Sequence, residues 1–473
     1  MSIQKKLPEM VESQGRLLGS SEHNWCLAVP GGTGITVLAI LISKFPDPSL
    51  LENALRKLQN AHPILRSKLH SNTTTSTTRF SFITSPTPLD FKVKAFDLSS
   101  TLKILENVIN PKGQSISPFQ LILEHELNLQ NTWLINHSSH SQNVFVVTTY
   151  ALPSEKWVVV FRLLAAACDQ PSAISLLREL LVLVGNEEGG GIQLEKENKG
   201  MISLGIEDLI PKGKAKKTLW QRGMDVLGYS MNSLTLTNLK FQDARSPRSS
   251  QVVRLHLNQD DTKRIIAGCK SRGIKLCGVL GAAGLIAAQS PKGHIDKQRK
   301  YGILTFINSR SLLEPPLSDH HFGFYQSVIL NTHVMKGGEK LWELGKKVYV
   351  EFASYKNSNK HFTDMADINY LMCKVIENPG LTPSSSLRTS LLTVFEDTVV
   401  EYSNEKHKQI GLEDYMGCAS IHGIGPSIAI FDTIRDGKLD CVCVYPSPLH
   451  SRDQIQEFVE EMKNVLVDGC NYA

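Results

Sequence analysis

The chain has 473 residues, 41% hydrophobic and 21% charged, with a net charge of +5. That length favours two or three domains with ample cores, and the composition excludes a disordered chain. A dispersed +5 gives no argument for a nucleic-acid partner. The nine Cys are scattered without a C-x-x-C pair and suit a reducing compartment, and Cys441 and Cys443 share a strand face that suits burial better than metal ligation. MSIQKKLPEM at the N-terminus lacks an apolar signal core, the apolar run 35–42 is too short to span a bilayer, and CNYA matches no lipidation or peroxisomal signal. A cytoplasmic protein with no membrane and no nucleic-acid partner is expected.

In chain order, NWCLAVPGGTGITVLAIL sets two apolar runs around PGGTG and predicts a hairpin. GGTG fits neither a dinucleotide fingerprint nor a phosphate loop, because it enters a β-branched strand and not a helix. PSLLENALRKLQNAHPILRSKL predicts a helix: Ser49 with Glu52 forms a capping box, Leu51, Leu55 and Leu58 recur at helical spacing, and Pro63 closes it. Residues 71–79 read as a polar loop tip and 80–95 as a strand pair. His137 and His140 lie in a Ser-rich turn with no third ligand nearby, so no metal site is expected there.

Residues 157–180, WVVVFRLLAAACDQPSAISLLREL, run from an apolar strand over 158–164 into a helix. Pro171 sits in its first turn and Ile174, Leu177, Leu180 and Leu181 share one face. The stretch 186–250 is Gly-rich and charged, and reads as a linker or crossover with one helix over 219–234. A second half opens with a strand, then Asn258 as N-cap of a helix stopping at Gly273, then a small-residue helix over 277–288. DGK in AIFDTIRDGKLDCVCVY predicts a hairpin, and Ser451 with Gln454 predicts the cap of a last helix whose buried face carries Ile455, Phe458, Val459, Met462 and Leu466.

Several of these stretches resemble the plant BAHD and condensation-domain acyltransferase superfamily, including its alcohol-acetyltransferase-like members. The helix ending in HPILR is similar to the first helix of that family, which makes His62 a structural residue. Asn308, Arg310, Leu313, Pro315, Pro316, Leu317, Phe322 and Gly323 match its N-x-R and L-x-PPL-x-x-x-x-FGN motifs, with Phe324 replacing the Asn. The D-F-G-W-G motif is absent; Asp414-Tyr415-Met416-Gly417 is an echo. The junction motif H-H-x-x-x-D-G, set on Asp169, places its two His at Leu164 and Ala165 and its Gly at Gln170, so only the Asp remains.

The resemblance implies an α/β fold of two chloramphenicol-acetyltransferase-like domains, over 1–185 and 251–473 with a crossover at 186–250, and a tunnel at their interface. It implies a salt bridge between Asp169 and Arg310, with Asn308 in the same structural motif. It implies an acyltransferase-like protein of specialised metabolism, acting on a small-molecule acyl donor and acceptor, with acyl-CoA as candidate co-substrate, no bound cofactor and no metal. Lys212, Lys214, Lys216 and Lys217 then read either as a solvated loop or as a contact to coenzyme A phosphates. A monomer is expected.

Acyl transfer from a thioester needs a base to take the acceptor's proton, worth on the order of 10²–10⁴ in rate. Leu164 and Ala165 cannot serve, and a carboxylate engaged by a guanidinium is a poor base. By analogy with a Ser-bearing strand that faces the channel, Ser420 and His422 are the candidate catalytic residues; His320 and His321 are further candidates. Leu164, Ala165, Ser420 and His422 are expected to line the tunnel. Three classes stay open: transfer with a substitute base, a degenerate binding or accessory protein, and a repurposed enzyme for condensation or cyclisation. A hydrolase built on Ser420 and His422 lacks the G-x-S-x-G elbow.

Overall fold

The computed structural model describes residues 14–44, 48–73, 78–89, 93–108, 116–129, 133, 141–185, 202–289, 298–381 and 386–471. Its architecture is a mixed α/β fold of two lobes. Strands Thr33–Ile42 and Trp157–Leu164 are almost continuously apolar and buried along their length, the pattern of central strands covered on both faces. They lie side by side in a five-stranded sheet with Phe145–Ala151 and Lys94–Phe96 on one flank. The other flank is Leu412–Ile421, from the far end of the chain, antiparallel to Thr33–Ile42 with Gly417 opposite Leu38. A seven-stranded sheet carries the second lobe, in the order Gln326–Met335, Arg299–Asn308, Leu392–Phe395, Ile428–Arg435, Lys438–Ser447, Ser249–His256, with Val399–Glu401 paired to Ile428–Arg435. A third sheet joins Gln14–Leu17, Thr78–Thr84, Ser67–Thr73 and Ser141–Asn143.

Alternation along the strands decides what faces what. In the seven-stranded sheet Ile303, Ile430 and Cys443 point into the core beneath helices Leu276–Gln289 and Arg452–Asn471. Their neighbours Leu304 and Phe431 face a cavity on the other side. Helix Leu276–Gln289 packs closely because its residues are small: a Cβ on Gly284 would fall 2.1 Å from Leu392 Cδ1. Buried polar contacts tie the two halves of the chain together. Glu124 accepts two hydrogen bonds from Arg452 at 2.7 and 2.9 Å, and Asn128 exchanges two with the backbone of Ser250 at 2.7 and 2.9 Å.

Much of the expected local structure is present. Asn258 caps helix Gln259–Arg272, which ends at left-handed Gly273, and the DGK hairpin joins Ile428–Arg435 to Lys438–Ser447. The linker helix is Leu219–Thr235, and all nine Cys are free thiols. Four readings need correction. The first arm of the expected hairpin is a helix, Ser20–Ala28, in which the Glu22 carboxylate accepts the Gly19 amide and Arg16 holds that carboxylate from outside. Of PGGTG, Pro30 and Gly31 lie in a single 3-10 turn capped by Gly32 that joins helix to strand, and Thr33 and Gly34 already belong to the strand. Helix Pro48–Ala61 begins before Ser49, which lies in its first turn and not at its cap. Ser71–Thr73 and Thr78–Arg79 are arms of a hairpin, and Thr78–Thr84 and Lys94–Phe96 sit in different sheets and do not pair. His137 and His140, and the linker residues 186–201, lie outside the described residues.

One buried acid makes stability depend on pH. Asp432 lies on the helix side of its strand, opposite Cys441, and burial pushes its carboxyl up to about 7 against the pull of the Thr398 hydroxyl. A carboxyl whose folded pKa lies above its unfolded value binds more protons folded than unfolded. Its contribution is therefore best at low pH, is lost between about pH 4 and about pH 7, and stays lost above. Four buried imidazoles, His333, His361, His422 and His450, work the opposite way, because burial pushes each down to about 4. Only a difference measurement isolates the acid. Relative to wild type, Asp432→Asn should gain stability on going from pH 5 to pH 8, by at most about 3 kcal/mol, read from urea midpoints. A difference that does not change with pH would contradict this assignment.

Candidate functional site

The site is built at the end of strand Trp157–Leu164. The strand stops in a tight turn, with the Ala167 amide on the Leu164 carbonyl and the Cys168 amide on that of Ala165. Asp169 then caps helix Gln170–Val184: its Oδ1 accepts the Ser172 amide at 3.0 Å and the Ser172 hydroxyl at 2.8 Å. The same carboxylate takes Arg310 in bidentate fashion, Nη1 to Oδ2 at 2.9 Å and Nη2 to Oδ1 at 3.0 Å, and the Tyr325 amide at 2.9 Å. Arg310 is 1% exposed. It spends its remaining N–H groups on the His321 carbonyl, the Ser172 hydroxyl and Asn308 Oδ1. Asn308 in turn donates to Asp319. Every charge in this clamp is matched and hydrogen-bonded, the condition under which a buried ion pair is tolerated.

Beside the clamp lies a cavity of about 500 Å³, within the ~300–1,000 Å³ range of ligand pockets. Both lobes contribute to its wall: Thr36, Ala165 and Ser420 from the five-stranded sheet and its turn, Leu304, Val328 and Phe395 from the seven-stranded sheet. Apolar side chains dominate. Asp169, Gln170 and Phe324 also reach it, Phe324 with apolar surface. Ala165 is at the wall as the motif resemblance implies, whereas Leu164 is packed in the core of the first lobe and does not line the cavity.

Ser420 and His422 separate. Ser420 sits at a register irregularity between Ala419 and Ile421, where the Ile35 amide bonds to its hydroxyl oxygen at 3.1 Å. It lines the cavity. His422 does not. It is buried past the end of the strand, with Nδ1 3.0 Å from the Ser250 hydroxyl and its ring laid over Gly32. A Cβ on Gly32, whose φ is +95°, would fall 1.9 Å from His422 Nε2. Burial first, then Arg388 and Arg248, pushes this imidazole down to about 4, so it is neutral at physiological pH. The other His candidates do not line the cavity either. His320 pairs with Glu179 at 2.9 Å, and His321 meets Ser318 at 3.0 Å while its carbonyl receives Arg310. His62 is fully buried, 2.5 Å from Glu179 and stacked on Phe322 at 3.8 Å, the structural role expected of it.

The Lys cluster also divides. Lys217 is held by Asp225, Asp364 and Asp367 at 2.5 to 2.7 Å and is removed from the coenzyme A reading; Lys212, Lys214 and Lys216 are exposed. The three acids are the one group among the described residues with the spacing of a metal site, and the Lys217 ammonium occupies their centre. Sequence reasoning missed His361, a buried imidazole in the cavity wall. It lies in the one-turn helix Lys360–Thr363, and KHFTDMAD offers no periodic signal to single it out.

No protein-family model matches the chain, and no curated protein matches it in sequence. Solved structures match it along nearly its whole length. Trichothecene 15-O-acetyltransferase from Fusarium sporotrichioides superposes with a TM-score of 0.68 at 12% identity, covering 98% of this chain and 97% of that one. The epimerization domain from the third module of tyrocidine synthetase B gives 0.62 at 13% identity, with 98% and 97% covered. The condensation domain of the monacolin K polyketide synthase gives 0.60 at 10% identity, with 97% and 98% covered. At such identities the likeness establishes the fold: this chain has the two-lobed architecture of chloramphenicol-acetyltransferase-like acyltransferases and condensation domains.

Proposed function

We propose that the chain is an acyltransferase-like protein of specialised metabolism that holds an acyl substrate in the cavity between its lobes and lacks the usual His base. The observation that carries this reading is the cavity beside an intact Asp169–Arg310 clamp, with Ala165 where the family has its imidazole. Among the described lining residues, the Ser420 hydroxyl is suited to a developing oxyanion. The Ser420 hydroxyl accepts from the Ile35 amide, which leaves its own proton to donate into the cavity. Ser420 thus acts as a hydrogen-bond donor and not as a nucleophile, and the acceptor is an amine or alcohol whose proton passes to the departing thiolate as the C–S bond breaks, without an imidazole relay. Acyl-CoA is the proposed donor, with its phosphates reaching Lys212, Lys214 or Lys216.

Thioester consumption with and without an alcohol or amine acceptor tests the reading. Slow, acceptor-dependent release of free thiol is expected. Tight binding of a medium-chain acyl-CoA without release would favour a binding or accessory protein, and neither binding nor release would overturn the acyl reading altogether.

A further inference from the structure

Helix Leu219–Thr235 has a well-made start: the Thr218 hydroxyl accepts the Gln221 amide, and the Gln221 side chain accepts the Thr218 amide. A surface helix normally turns its apolar face to the core and its polar face to solvent. This one does the reverse. Asp225 is held by Lys217 at 2.5 Å, the Tyr229 hydroxyl donates to Asp364, and Asn232 accepts from Lys300 at 2.7 Å. Polar residues at helical spacing thus fix the helix to the protein. Trp220, Met224, Leu227 and Met231 recur at steps of four, three and four, which sets them on one stripe. They are 78%, 52%, 54% and 58% exposed, and none of them lines the cavity.

An apolar stripe left in water by the contacts that hold its own helix marks an interaction surface. The charges beside it select the partner. The exposed charged side chains of residues 212–235 are Lys212, Lys214, Lys216 and Arg222, all positive. The acid of the segment, Asp225, is spent on Lys217. Three exposed lysines therefore lead into a helix that opens with the exposed pair Leu219 and Trp220. Trp, Leu and Met on one face beside clustered cations are what a helix needs to lie in the interface of an anionic bilayer, its apolar face among acyl chains and its cations at headgroup phosphates. Segments too short to span a bilayer do not bear on a helix lying flat against it.

We propose that helix Leu219–Thr235 docks the protein on an anionic membrane surface, with Trp220, Met224, Leu227 and Met231 among the acyl chains and Lys212, Lys214 and Lys216 at the headgroup phosphates. The same helix lends Tyr229 and Ser230 to the cavity wall, so docking sets the cavity beside the bilayer, a source of apolar ligands. Coenzyme A in solution, proposed above as a ligand of the same lysines, needs the cations and not the stripe. Variants of the stripe therefore separate this inference from the acyl reading.

The test sediments the full chain with vesicles of phosphatidylcholine alone and of phosphatidylcholine with about one-third phosphatidylserine. Wild type should prefer the anionic vesicles by about tenfold or more, and Lys212→Gln, Lys214→Gln and Lys216→Gln together should remove most of that preference. Trp220→Ser combined with Leu227→Ser should weaken binding to the anionic vesicles by about tenfold or more, because two side chains no longer enter the acyl region. It should leave thermal melting and any thiol release from acyl-CoA unchanged. Brominated phosphatidylcholine should quench the Trp fluorescence of vesicle-bound wild type more than that of Trp220→Phe, which still binds. A wild type that ignores anionic vesicles would overturn the proposal, and so would a double Ser variant that binds them as well as wild type. A concentration-dependent dimer that the double Ser variant dissolves, with no vesicle binding by either protein, would overturn it too, because a second copy then covers the stripe. Vesicle binding by a protein that consumes no thioester would sink the acyl-transfer reading and leave the membrane contact standing.

Discussion

Ala165→His should raise acyl transfer from a thioester to an alcohol by on the order of 10²–10⁴ over wild type, the worth of one positioned base. The turn that carries residue 165 is intact, fixed by the Ala165 amide on the Gly34 carbonyl at 2.8 Å and by the clamped Asp169 four residues on. Ala165 already lines the cavity, so an imidazole there points at the space a substrate would fill. The new base would take the acceptor hydroxyl's proton as its oxygen attacks the thioester carbonyl, then return the proton to the departing thiolate. Ser420→Ala in the same background should remove most of the gain, because the oxyanion loses its side-chain donor. Leu164→His is not part of the design. That side chain is 1% exposed in the apolar core, and an imidazole there would be buried without a partner. His422→Ala is the control: its ring is outside the cavity wall, so the activity of Ala165→His should survive it. A fast wild type, unimproved by Ala165→His, would show that another base already serves the site.

The sequence was most informative where a residue's partner was carried by a motif. Asp169 and Arg310 lie 141 positions apart, and no periodicity joins them; the D of one motif and the R of another do. Capping signals at Asn258 and the Asp-Gly turn were equally legible, because their chemistry is local. Two failures have a physical cause in geometry that sequence does not encode. Ser420 and His422 are two apart and should share a strand face, but the strand ends at Ile421 after a register irregularity, and His422 turns into the packing above Gly32. Strand Leu412–Ile421 belongs by sequence to the second half and by hydrogen bonding to the sheet of the first. Nothing in its residue pattern names the neighbour. Helix Ser20–Ala28 was misread because Trp25 to Val29 look like a strand, while the group that starts the helix, Glu22 on the Gly19 amide, sits in a polar stretch before it.

Arg310→Met should cost roughly 3–5 kcal/mol of folding stability, because it strands the Asp169 carboxylate in a buried site. The loss exceeds that of an exposed pair, about 0–1 kcal/mol, since neither side chain can recover water in the folded state. Asp169 keeps its amide donors from Ser172 and Tyr325, so the junction should hold its shape while losing stability. Asp169→Asn combined with Arg310→Met should be closer to wild type than the sum of the two single losses, because removing the second charge relieves the first. Urea unfolding of the three variants measures this coupling. A loss below about 1 kcal/mol for Arg310→Met would mean that the clamp is incidental to the fold. A large coupling would explain why the clamp persists beside an absent imidazole. The Asp of the motif caps a helix and neutralises a buried guanidinium, and those duties continue whether or not a base stands at position 165. Motif residues that hold the backbone are then kept by stability alone, so their presence argues for the frame and leaves the chemistry to Ala165, Ser420 and the cavity wall.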